Sequence, residues 1–102
     1  SDTMGDTLSN VKRRFINASK FYPEIQINVP TGDKSNVIVD VLQYGKASKV
    51  LTKTIERRES FQIIDFSTKD TIRRVDDISL PFGKNFSLIF TGETTLIKQQ
   101  EF

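Results

Sequence analysis

Four aspartates, Asp40, Asp65, Asp76 and Asp77, are the side chains here best suited to chemistry, since a carboxyl can serve as acid, base or nucleophile. Asp76 and Asp77 are neighbours, so on a strand they point to opposite faces. That is poor geometry for two carboxyl groups that must flank one bond, and a solvated turn or edge pair accounts for them. Asp40 and Asp65 lie inside apolar runs, where a buried carboxylate must find a partner. Arg57, Arg58, Arg73 or Arg74 could supply it, so a structural ion pair or an edge-of-sheet position is the expected role. The chain has neither His nor Cys, which removes the commonest general base, the commonest metal ligand and any thiolate site. No Ser sits in a nucleophile elbow, and no glycine-rich phosphate loop is present. The sequence therefore predicts a non-enzyme with no catalytic residue, cofactor or metal.

Oxygen ligands for calcium occur in "TGDKSN" and "STKD", but without the dense Asp-x-Asp pattern of a dedicated site. Asn17-Ala18-Ser19 and Asn85-Phe86-Ser87 match the glycosylation sequon, which matters only on a eukaryotic secretory route. Three basic groups, Lys12-Arg13-Arg14, Arg57-Arg58 and Arg73-Arg74, stand near Phe15, Tyr44, Phe61 and Phe66, a mix that an OB-type barrel uses to hold single strands. Strand alternation, however, sends neighbouring arginines to opposite faces. Glu56, Glu59, Asp70, Asp76 and Asp77 also interrupt the clusters, so a self-neutralised surface is expected and no nucleic-acid partner. The formal net charge of +2, from 15 basic and 13 acidic residues, agrees with that expectation.

The elements that would position these residues are strands. At 102 residues, with 36% hydrophobic and 27% charged residues, the chain has the composition of one folded domain. Ile25, Ile27 and Val29 alternate with polar residues, as in a strand with one buried face. "VIVDVLQY" is apolar on both faces apart from Asp40 and Gln43, which suits a central strand covered on both sides. Between these two runs stands the loop "TGDKSN". "NVKRRFINASKFY" reads as a strand more than a helix, with Val11, Arg13 and Phe15 alternating, and Pro23 breaks it. "SKVLTKTIE", "FQIIDF", "TIRRVDDISL" and "FSLIFTG" read as further strands, "RRES" as a charged turn, and "TTLIKQQEF" as a terminal edge strand. Ser67 could instead cap a short helix over residues 69–75. About seven short strands predict an all-β, two-sheet antiparallel sandwich over residues 10–102, after a flexible polar leash at 1–9.

The stretch "INVPTGDKSNVIVDVLQY" resembles a segment of the TssJ lipoproteins of type VI secretion, in which an Asn-Pro-Gly-rich loop leads into a Val- and Ile-rich strand ending in Tyr or Leu. Asn28, Pro30, Gly32 and Ser35 match in the loop, and Val37, Val39, Val41, Leu42 and Tyr44 in the strand. Abundant Lys, Asn, Ile, Phe and Ser resemble the divergent Francisella branch of the group. The family's helical insertion after the Val-rich strand is replaced here by "GKASKVLTKTIE".

The resemblance implies a transthyretin-like sandwich on the periplasmic face of the outer membrane, tethered by a lipid on a Cys upstream of Ser1. It implies a TssM-like inner-membrane protein as partner, bound by the family's loop between the first strands. By position that loop maps onto Pro30, Thr31, Gly32, Asp33, Lys34, Ser35 and Asn36. A leash of polar residues, an exposed loop on a rigid scaffold, and a second contact beside a single lipid chain are physically consistent with that role. Another extracytoplasmic β-sandwich adaptor, of a phage or surface structure, and a small OB-like single-strand binder are the alternatives.

Overall fold

The computed structural model describes residues 10–53, 58–80, 83–92 and 95–99, the last five by their backbone. Eight strands run in chain order: β1 (Val11–Asn17), β2 (Glu24–Thr31), β3 (Lys34–Gln43), β4 (Leu51–Lys53), β5 (Arg58–Asp65), β6 (Thr71–Ser79), β7 (Asn85–Phe90) and β8 (Thr95–Gln99). They form two four-stranded sheets, β4-β1-β7-β8 and β3-β2-β5-β6, and the pair makes a two-sheet sandwich rather than a five-stranded OB barrel. Pairing is antiparallel except between β1 and β7, which run parallel from Lys12↔Asn85 to Asn17↔Phe90. The chain passes through the opposite sheet between those two strands, so the crossover that a parallel pair requires is long.

Alternation builds the core. Val11 and Phe15 of β1, with Phe86, Leu88 and Phe90 of β7, face Ile25 and Ile27 of β2 and Phe61 and Ile63 of β5. Phe15 and Phe61 meet edge to face across the two sheets, with ring centroids 5.2 Å apart and planes at 77°. Such a contact is worth about 0.5–1.5 kcal/mol beyond the area it buries.

Three local expectations are corrected. Residues 71–79 form β6, not the alternative short helix, because Val75 pairs with Phe61 and Ile78 with Glu59 on β5. "RRES" is no turn in its described part: Arg58, Glu59 and Ser60 open β5. Third, β3 is an edge strand, not a covered central one. β2 and β5 occupy the centre of that sheet, and Val37, Val41 and Tyr44 stay 51%, 42% and 51% exposed. Terminal strand β8 does lie at an edge, as expected.

Candidate functional site

The predicted contact residues gather at one hairpin tip, but most of them are strand. Val29 pairs with Asn36, Pro30 with Ser35 and Thr31 with Lys34, which leaves only Gly32 and Asp33 as the turn. Gly32 has φ +63° while Asp33 does not enter the positive region, the pattern of a type II′ hairpin turn with Gly first. Residues 31–36 are all exposed and Pro30 is half-buried. The expected open loop is thus a tight turn, since Gly32 lets the two strands pair up to their ends.

The connection between the first two strands lies elsewhere, at residues 18–23. Asn17 anchors it. This fully buried side chain donates from Nδ2 to the carbonyls of Tyr22 (2.9 Å) and Leu42 (3.1 Å), while Oδ1 accepts from the Ser19 N–H at 3.0 Å. The Asn17 sequon is therefore closed to glycosylation in the folded state. Above this anchored base stands Phe21, 77% exposed. Tyr44, 51% exposed, is held at the same end by a bond from its N–H to the Pro23 carbonyl at 2.8 Å.

Exposed large apolar side chains are concentrated. Of the five described, Val37, Val41, Tyr44 and Val50 lie on β3 or in the segment that leads from it to β4, and Phe21 is the fifth. Between the β3 edge and residues 46–51 runs an open groove of about 700 Å³, with Ile38, Val41, Leu42 and Leu51 along it and Lys46 and Lys49 at its rim. The continuous apolar run of β3 was visible in the sequence; that its outer edge is open was not.

Each of the four candidate carboxylates is taken up by a hydrogen bond or ion pair. Asp40 is exposed and accepts from Gln26 Nε2 at 3.3 Å. Asp65 accepts from the Ser67 N–H at 3.0 Å, which closes a local turn. Asp76 pairs with Arg74 at 2.9 Å and Asp77 with Arg58 at 3.1 Å, all four exposed. The buried carboxylate is instead Glu59, paired with Arg13 in the interior. Among the described residues no three His, Cys, Asp or Glu side chains gather as metal ligands. In the first basic group alternation splits neighbours between faces, Lys12 exposed and Arg13 buried; Arg73 is half-buried and Arg74 exposed, and Arg57 lies outside the described residues.

No protein-family model matches the chain, and no curated protein is significantly similar to it.

Proposed function

We propose that the chain is a non-catalytic interaction module. In its specific form it is a TssJ-like lipoprotein that anchors a secretion membrane complex to the outer membrane by binding a TssM-like inner-membrane protein. The observation that carries the interaction role is the gathering of exposed apolar side chains on β3, residues 44–50 and Phe21. Apolar residues scattered singly need no explanation, whereas four of the five exposed large ones that are described fall within residues 37–50, and such a concentration in one segment favours a contact surface. The sandwich supplies a rigid frame for that surface, and the resemblance in residues 27–44 supports the secretion role. The resemblance places the partner loop between the first strands, and that connection is residues 18–23, so Phe21 takes over from the 30–36 tip as the loop residue of this reading.

The test is a pull-down from membrane extracts with the lipidated full-length protein. Phe21→Ala and a variant altered at Gly32, Asp33 and Lys34 are run beside the wild type. Recovery of a large inner-membrane protein by the wild type and the turn variant, with loss in Phe21→Ala, is expected. Absence of membrane fractionation and of any such partner sinks the anchoring role.

A further inference from the structure

Resting on the interaction-module reading, we infer that the open edge of β3, with the groove beside it, takes an extended segment of a partner protein that alternates apolar and acidic side chains. The segment adds as a fifth strand to the sheet β3-β2-β5-β6.

Three observations commit the surface to this occupant. First, β3 is the longest described strand, ten residues, and only β2 pairs with it; the Leu42 and Gln43 carbonyls at its end accept from Asn17 and Lys46, so the outward row of donors and acceptors is open along its earlier part. Two bulges blunt this edge against pairing with a like, regular strand, but no strand covers it among the described residues, and main-chain pairing by an incoming flexible segment is the recurrent use of such an edge. Second, the rim lysines, Lys46 and Lys49, have no acidic partner within ion-pair distance among the described residues. The two outnumber Asp40, the one acid lining the groove. A segment with Asp or Glu at the rim positions complements this pattern; a basic one is repelled. Third, the edge is bulged. Opposite Gln26 stand two β3 residues, Asp40 and Val41, and Ile38 has no counterpart between Ile27 and Asn28. Bulges increase local twist. A flexible segment can follow such an edge, while the same rigid bulged strand of a second copy fits it poorly.

The test is a selection of random displayed peptides, about as long as β3, against the full chain. The enriched peptide's affinity is then measured against wild type, Val37→Lys/Val41→Lys, Lys46→Glu/Lys49→Glu and the charge-matched control Lys12→Glu/Lys84→Glu on another face. Expected are enriched sequences that alternate apolar with Asp or Glu, and new protection of β3 amides from hydrogen exchange. The edge variant abolishes binding, the rim variant weakens it roughly tenfold, as loss of two rim ion pairs would, and the control leaves it unchanged. The rim variant alters only exposed side chains, so the result does not hang on the edge variant's folding. No enrichment, or binders indifferent to both groove variants, overturns the inference. So does concentration-dependent self-association lost in Val37→Lys/Val41→Lys, which assigns the edge to a second copy. Binding of phosphatidylserine vesicles through Lys46 and Lys49 without any enriched peptide overturns it in favour of a lipid surface. Membrane-partner recovery that survives both groove variants ends this inference and leaves the interaction module standing.

Discussion

Arg13 on β1 and Glu59 on β5 form a buried, two-point ion pair between the two sheets. Nε lies 2.9 Å from Oε1, and the second guanidinium nitrogen lies 2.5 Å from Oε2. Both side chains are more than nine-tenths buried, and Lys53 Nζ approaches the same carboxylate at 4.0 Å. The fork geometry satisfies both carboxylate oxygens, which lets two charges sit in the core at all.

Removing one partner leaves an uncompensated buried charge. Arg13→Met or Glu59→Leu is therefore expected to destabilise the fold by about 3–5 kcal/mol. The double variant recovers much of that loss, because it removes both charges and keeps the volume. Urea unfolding of the three variants against wild type reads the coupling. Additive losses would mean that the pair does not act as a unit.

This pair also shows what the sequence could and could not tell. Period-two alternation puts Arg13 on the face of Val11 and Phe15, so its inward facing was legible, whereas Glu59 read as part of a charged turn and proved to be buried in β5, beside an irregularity between Glu59 and Phe61. Their meeting was not legible, since 46 residues separate them and only the stacking of one sheet on the other brings them together. The same limit explains β3. Its two apolar faces were legible, but pattern does not distinguish a covered face from an open one. The bulges at Ile38 and at Asp40–Val41 further break the alternation that would have fixed its facing. The strands themselves were largely readable, because Ile25, Ile27, Phe61 and Ile63 obey a simple alternation.

Two glycines with positive φ should respond differently to Ala. At Gly32, φ is +63° and an added Cβ meets nothing within 4 Å, so Gly32→Ala carries the backbone term alone, about 1 kcal/mol. At Gly92, φ is +98° and the new Cβ would lie 2.6 Å from Ser19 Oγ. Gly92→Ala adds a clash to the backbone term and is expected to cost about 2–4 kcal/mol. Adding Ser19→Ala should return the clash portion only. Equal thermal shifts for the two single variants would refute the close approach.

Asn17→Ala removes three hydrogen bonds at once and strands the Ser19 N–H and the Tyr22 and Leu42 carbonyls around a buried gap. A loss of about 2–4 kcal/mol is expected, since each stranded buried group costs about 1–3 kcal/mol and water can reach part of the gap. The more specific readout is hydrogen exchange. The amides of residues 18–22 should lose protection more than those of β5, which share no bond with Asn17. Uniform loss of protection across the sandwich would show that the side chain stabilises the whole fold rather than fixing this connection.

Phe21 offers the sharpest separation of contact from stability. Its ring is 77% exposed, so Phe21→Ala should move the unfolding free energy by less than about 0.5 kcal/mol. If the ring anchors a partner, its truncation should weaken that complex at least roughly tenfold, since exposed aromatics that become buried at an interface are the usual hot spots. The turn variant at Gly32, Asp33 and Lys34 alters only small or polar side chains, and Gly32 has no neighbour to lose. It should change partner retention little. Retention lost in the turn variant and kept in Phe21→Ala would return the contact to the β2–β3 tip. It would also show that the connection at residues 18–23 is shaped by Asn17 for the fold alone.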